Sequence, residues 1–172
     1  MNSVSDSFRQ ALELLLAADP ELWGIIGVSF SVSLRAILIA APPALLLAFL
    51  LAYHRFPGQR LLLATVNALL AVPAVVVGLT VYMLLTRTGP FGELRLLFTQ
   101  SAMVIGQILL SLPILVAFSH AAFQAVDRRA WETAITLGAP PWRAMLTVMN
   151  EVRHGLMAAC IAAFGRIIAE VG

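Results

Sequence analysis

Three long segments of this 172-residue chain carry no Asp, Glu, Lys or Arg, and this feature limits the possible folds most strongly: residues 36–53, 61–86 and 96–126. A helix needs about 20 apolar residues to cross a bilayer, and only helices or closed barrels satisfy their backbone hydrogen bonds there. Charged residues make up 12% of the chain, against about 25% in soluble domains. The sequence therefore predicts an all-α integral membrane protein that is a polytopic helical bundle.

The polar residues between the apolar segments predict where each span begins and ends. We expect spans at about residues 24–53, 61–86, 97–125 and 153–172. The last span is apolar except for Arg166 and Glu170, and it has no polar flank at its end. We therefore expect the chain to be truncated at its C-terminus, within one transmembrane domain that covers residues 1–172.

The N-terminal residues predict an amphipathic helix rather than a signal peptide. Apolar residues such as Phe8 and Leu12 recur at helical spacing, while Arg9 and Glu13 lie on the other side. A signal peptide would have a basic leader and an uninterrupted apolar core. We expect a helix at residues 5–20 that lies in the membrane interface.

The distribution of arginine predicts the orientation of the spans. The loops 54–60 and 127–153 hold six arginines: Arg55, Arg60, Arg128, Arg129, Arg143 and Arg153. The other side holds three: Arg9, Arg87 and Arg95. Short cytoplasmic loops carry the excess of basic residues, so we expect loop 127–152 in the cytoplasm and the N-terminus outside.

The chain lacks the residues that several kinds of functional site require. The chain has no Lys, which a phosphate-binding GxxxxGK[ST] loop needs. One Cys and three scattered His predict no metal site, and we expect no cofactor and no catalytic residues. A net charge of +2 does not indicate a nucleic-acid partner. A membrane-embedded enzyme would need clustered ionisable groups that are not apparent, and a passive channel or structural subunit stays a further alternative.

Small residues and prolines inside the spans predict close packing and kinks. Alanines at four-residue spacing let helices approach closely: Ala40, Ala44, Ala48 and Ala52. Prolines interrupt three spans: Pro42-Pro43, Pro73 and Pro113. Arg166 and Glu170 lie one helical turn apart, on the face of small residues in the last span. They are a structural ion pair, part of a path for an anion, or part of a helix end that lies outside the hydrocarbon.

The polar segment 128–153, "RRAWETAITLGAPPWRAMLTVMNEVR", predicts two short helices that meet at an angle. Asp127 can cap the first helix, and Gly138 suits the left-handed position after its end. Pro141 suits the first position of the second helix. Trp131 and Trp142 can anchor in lipid headgroups or fill a pocket on a partner. The segment is either a rigid contact for a soluble partner or an ordinary structured loop.

Within this segment Glu132, Ala134 and Gly138 form the pattern E-x-A-x-x-x-G, which resembles the cytoplasmic loop of permease subunits of bacterial ABC importers. Many such permeases carry Leu-Pro about a dozen residues later, where this chain has Asn150-Glu151. The stretches "VPAVVVGL", "GPFGELRLLFT" and "FGRIIAEVG" resemble tungstate-type permeases, which are related to the molybdate and sulfate permeases. The resemblance covers roughly residues 30–172.

The resemblance implies a permease fold in the bacterial inner membrane and the import of an oxyanion, tungstate or possibly molybdate. It implies a transporter subunit and not an enzyme, since a separate ATP-binding subunit would hydrolyse ATP. Further implied partners are an extracytoplasmic binding protein and a second permease copy. The loop that would contact the ATPase includes Glu132, Ala134, Gly138, Ala139, Pro141 and Trp142.

Polar and helix-breaking residues within the spans are the candidates for a translocation path, because alternating access needs bent helices and a few polar groups near mid-membrane. The candidates are Asn67, Pro73, Gln107, Pro113, Arg166 and Glu170. A permease for another small solute is the alternative function.

Overall fold

A computed structural model describes residues 20–171, so the amphipathic helix expected at residues 5–20 lies, except for Pro20, outside the described residues. The described part of the chain consists of helices joined by turns and loops, and it contains no strand. The helices are α1 (Pro20–Tyr53), α2 (Gln59–Leu69), α3 (Ala74–Leu85), a short 3-10 helix (Gly92–Leu94), α4 (Gln100–Ala125), α5 (Arg129–Thr136), α6 (Pro141–Glu151) and α7 (Arg153–Val171). The all-α membrane fold expected from the sequence is confirmed.

Two of the described helices, α1 and α4, are long and apolar enough to cross a membrane alone. Two further pairs qualify only together: α2 with α3, which are bent by 102°, and α6 with α7, which are bent by 73°. The described residues therefore hold two spans, or up to four if each bent pair counts as one.

The segment predicted as a span at residues 61–86 is not one straight helix. The chain leaves α2 through a tight turn in which the amide of Val72 donates to the carbonyl of Leu69. Pro73 follows in an extended conformation, with φ −63° and ψ 139°. Proline has no amide hydrogen and disfavours helical geometry in the residue before it. The segment consequently divides into α2 and α3.

The other prolines lie inside helices that continue past them. Pro42 and Pro43 lie inside the continuous helix α1, and Pro113 lies inside α4. Ala40 and Ala44, on either side of the first pair, are fully buried in the bundle. Packing on both sides of the prolines holds the helix together, and neighbouring helices in a membrane protein make such prolines tolerable.

Helix α1 packs along α4 and α7 and forms the centre of the bundle. Its predicted row of alanines is buried, and the members are at most 4% exposed: Ala40, Ala44, Ala48 and Ala52. Ala36, one turn earlier, is buried as well. Helix α7 approaches α4 as closely, since a Cβ added to Gly155 would lie 2.8 Å from the Cβ of Ala122. Small residues therefore set the short distances between these helices.

Candidate functional site

The segment between α4 and α7, here called the helix-turn-helix segment (residues 127–152), has the two short helices expected from the sequence. Asp127 begins it, because its carboxylate accepts a hydrogen bond from the amide of Arg129 at 3.0 Å. Pro141 occupies the first turn of α6. Both features satisfy or remove the free amides that begin a helix.

Gly138 makes the turn between α5 and α6 with a φ of +83°. Its amide donates to the carbonyl of Ile135 at 2.9 Å, and the amide of Ala139 donates to the carbonyl of Ala134 at 3.0 Å. These two bonds form the Schellman motif, which needs a left-handed residue after the helix. The glycine predicted for this position is therefore required by the backbone.

Most of the helix-turn-helix segment is open to contact. No residue of α5 is buried. Among the residues predicted to contact an ATPase, four are exposed: Glu132, Gly138, Pro141 and Trp142. The other two, Ala134 and Ala139, are half-buried. The turn between the two helices thus presents a continuous surface.

An aromatic cluster fixes this segment to the end of α1. The ring of Trp131 lies 5.3 Å from Phe49, 5.5 Å from Tyr53 and 6.5 Å from the ring of His54. Phe49 in turn lies 5.6 Å from Phe123 of α4 in an edge-to-face arrangement. Aromatic rings at these distances attract one another beyond the area that they bury. The cluster therefore joins α5 to both α1 and α4.

A charged side chain reinforces the same attachment. The Nη2 of Arg128 donates to the carbonyl of Ala52 at 2.6 Å, near the end of α1. The guanidinium of Arg128 also lies 5.8 Å from the centre of the Tyr53 ring, within reach of a cation–π interaction. The contacts of Arg128 and Trp131 place loop 54–58 and the helix-turn-helix segment at one end of the bundle.

The sequence did not predict this role for Trp131. A tryptophan in a polar segment between spans is also typical of a headgroup anchor or a partner contact. Trp142 is free to serve as a headgroup anchor or a partner contact, because it is 57% exposed and its ring contacts Arg143 of its own helix. The stacking of Trp131 on α1 depends on contacts between residues nearly 80 positions apart, which helical periodicity does not reveal.

A second candidate site lies where the bend between α2 and α3 meets α4 and α7. A cavity of about 280 Å³ is bordered there by Val72, Thr80, Pro113, Arg166 and Glu170, among other residues. A neighbouring cavity of about 360 Å³ is bordered by Ala74, Gly78, Gly106, Gln107 and Glu170, among others. Glu170 borders both cavities.

The polar groups at these cavities are few and specific. Arg166 and Glu170 form an ion pair one turn apart on α7. Gln107 is 5% exposed, and its amide nitrogen donates to the carbonyl of Ile167 at 3.3 Å. Its Oε1 is buried without a hydrogen-bond partner among the described residues. Within residues 20–171, no group of three His, Cys, Asp or Glu side chains could hold a metal ion.

The structure brings together most of the residues predicted for a translocation path. Gln107, Pro113, Arg166 and Glu170 border the two cavities. Pro73 is exposed, and it lies between two bordering residues at the bend. Asn67 is exposed and is not among the residues that border either cavity.

The exposed ion pair of α7 lies beside the face of that helix that packs into the bundle. The buried residues of α7 are Leu156, Ala159, Ala163 and Ile167, and the last three form one row with the half-buried Gly155. Arg166 and Glu170 belong to the adjacent row, and both are exposed. Adjacent rows of side chains on a helix project in different directions. The row of Arg166 and Glu170 can therefore border the cavities while the neighbouring row packs against the bundle.

Comparison with known proteins shows that the chain matches one protein family. The sequence pattern of the family described as "Binding-protein-dependent transport system inner membrane component" matches residues 44–170. The matched part includes the helix-turn-helix segment and the helices that border both cavities.

Individual relatives are similar over most of this chain. A probable anion ABC transporter permease protein from Haloferax volcanii is 36% identical over 151 residues, which are 88% of this chain and 65% of the relative. A tungstate uptake system permease protein from Peptoclostridium acidaminophilum is 33% identical over 100% of this chain and 75% of the relative. A molybdenum transport system permease protein from Escherichia coli K12 is 30% identical over 92% of this chain and 72% of the relative. The chain thus spans about two thirds to three quarters of the length of these relatives.

Proposed function

The chain belongs to the family of binding-protein-dependent transport system inner membrane components, and from this premise we propose that it carries an oxyanion into the cell. As a member of this family it is a multi-pass membrane protein and a permease subunit of an ABC importer, not an enzyme. The observation that carries the proposal is the family match together with a cationic side chain at a cavity between bent helices.

Tungstate is the substrate that the relatives favour, and molybdate is the next. The relatives named for tungstate and molybdenum transport are 33% and 30% identical to this chain. Either oxyanion carries two negative charges, so an entirely apolar path would exclude it. The guanidinium of Arg166 at the cavity of about 280 Å³ supplies a matching charge. A permease for another small solute is the second candidate.

The helix-turn-helix segment is the proposed contact for a separate ATP-binding subunit in the cytoplasm. Its E-x-A-x-x-x-G motif lies across α5 and the exposed turn at Gly138. The aromatic cluster around Trp131 links this surface to α1 and α4, which provides a mechanical connection from the partner to the membrane helices. Six arginines lie in the loops 54–60 and 127–153 on this side of the spans, and such an excess of basic residues favours the cytoplasm for this surface.

The remaining partners follow from the family. An extracytoplasmic binding protein would deliver the oxyanion to the side of the membrane that carries loop 86–99. A second copy of the permease would complete the path, because the two cavities of one chain are open to its surroundings and Glu170 of α7 borders both of them. The proposed path runs along Pro73, Gln107, Pro113, Arg166 and Glu170.

Uptake into proteoliposomes tests this proposal. The full natural permease is reconstituted with its ATP-binding subunit, and the binding protein and tungstate, molybdate or sulfate are added outside. We expect ATP-dependent accumulation of tungstate, and weaker accumulation of sulfate, measured by mass spectrometry of the metal and by radiolabelled sulfate. ATP hydrolysis without accumulation of any oxyanion would overturn the proposed substrate class, while accumulation that does not need ATP would favour a channel.

A further inference from the structure

We propose that Glu170 acts as an internal anion that occupies the guanidinium of Arg166 between transport events and is displaced by the incoming oxyanion. This inference rests on the proposed function, since it concerns the same path. It assigns Glu170 the role of a gate rather than a contact for the substrate.

The chemistry of the pair supports this competition. A guanidinium presents its hydrogen-bond donors in a planar fork that suits a carboxylate and an oxyanion equally well. In this chain Glu170 already accepts from Nη1 of Arg166. An oxyanion that binds the same donors must therefore replace the carboxylate or share the guanidinium with it.

Charge makes sharing unfavourable. A carboxylate and a doubly charged oxyanion on one guanidinium would repel each other at short distance, and poorly hydrated surroundings would strengthen that repulsion. At rest the pair is neutral, which lowers the cost of keeping both groups within a membrane segment. Displacement of Glu170 therefore requires an oxyanion that other contacts also hold at the path. Free anions in solution do not displace Glu170 from Arg166.

The position of Glu170 adds a second, independent observation. Its side chain borders both cavities, whereas Arg166 borders only the one of about 280 Å³. The neighbouring cavity of about 360 Å³ is bordered by Gln107, whose Oε1 is buried and has no hydrogen-bond partner within residues 20–171. Movement of the Glu170 carboxylate away from Arg166 would therefore change the boundary between the two cavities beside α4 and α7.

A purely structural ion pair predicts a different result. Pairs four residues apart on an exposed helix surface contribute only about 0.3–0.5 kcal/mol. Removal of such a pair would leave transport and leakage nearly unchanged. The two interpretations therefore separate in an experiment that measures leakage.

The test uses the assembled transporter in proteoliposomes preloaded with tungstate, without ATP and without binding protein. We expect Glu170→Gln to increase passive tungstate efflux by at least about tenfold, because a neutral amide no longer competes with the oxyanion for the guanidinium of Arg166. The double variant Arg166→Gln/Glu170→Gln should return efflux to the wild-type level, since the cationic site is then absent. Glu93→Gln, which removes an exposed carboxylate from the 3-10 helix, serves as the matched control and should not change efflux.

A conservative variant separates charge from disturbed folding. Glu170→Asp keeps the carboxylate and should leak less than Glu170→Gln; equal leakage in both would overturn the inference. Wild-type efflux from Glu170→Gln, in a preparation where wild-type ATP-driven uptake is normal, would also overturn it and leave the proposed function intact. Failure of wild-type uptake itself would instead count against the proposed function.

Discussion

Replacement of Gly138 by valine should reduce ATP-driven oxyanion uptake by at least about tenfold while the chain still inserts into the membrane. Gly138 has a φ of +83° and an added Cβ would meet no atom within 4 Å, so the effect comes from the backbone. A β-branched residue held in this region costs on the order of 1–3 kcal/mol, and about 1.4 kcal/mol changes an equilibrium tenfold. The turn would open, and α6 would leave its angle to α5.

Gly58→Val is the matched control for this prediction. Gly58 also has a positive φ, +89°, and open space around the position of a Cβ. It lies in the loop before α2, outside the helix-turn-helix segment. We expect Gly58→Val to retain uptake within about threefold of wild type. If Gly138→Val transports like wild type at the same amount of inserted protein, the proposed role of this turn is wrong.

Trp131→Ala should separate ATP hydrolysis from transport. The substitution removes three ring contacts, with Phe49, Tyr53 and His54. Aromatic pairs contribute about 0.5–1.5 kcal/mol each beyond the area buried, so we expect a loss of about 2–3 kcal/mol in the attachment of α5 to α1. The exposed surface of the turn would remain. The ATP-binding subunit should therefore still bind and hydrolyse ATP, but about ten times more ATP should be consumed for each oxyanion imported.

The measurement is the ratio of phosphate released to tungstate accumulated in the same proteoliposomes. Trp23→Ala provides the control, because Trp23 is 52% exposed and lies at the other end of α1. We expect its ratio to equal that of wild type. An unchanged ratio for Trp131→Ala, with both activities near wild type, would show that the aromatic cluster does not transmit the movement.

Local sequence signals predicted much of this fold because they act over a few residues. The alanine row of α1 is buried, the carboxylate of Asp127 accepts a hydrogen bond from the first amide of α5, and Gly138 adopts the left-handed turn. Each prediction depended on helical spacing or on the backbone preference of one residue type. The segment that resembles the loop of ABC permeases therefore had its helices and its turn assigned correctly.

Features that depend on packing between distant segments were not predictable in the same way. Prolines 42, 43 and 113 stay within continuous helices, whereas Pro73 follows a break with a bend of 102°. A proline in the sequence shows that one backbone hydrogen bond is lost, but it does not show which neighbouring groups compensate for the loss. For the same reason the sequence left Asn67 among the path candidates, although it is exposed and borders neither cavity.

Cross-linking from Trp142 tests whether the helix-turn-helix segment is the surface that an ATP-binding subunit holds in the cytoplasm. The Trp142→Cys variant, made in a Cys160→Ser background, carries a photoreactive maleimide in membranes that contain the assembled transporter. Phe98→Cys is the control, because Phe98 is 91% exposed and lies before α4, at the opposite end of that helix from the segment. We expect a covalent adduct with the ATP-binding subunit from position 142 and none from position 98. An adduct from position 98 alone, or labelling of position 142 only by reagents added outside the cell, would contradict the proposed coupling.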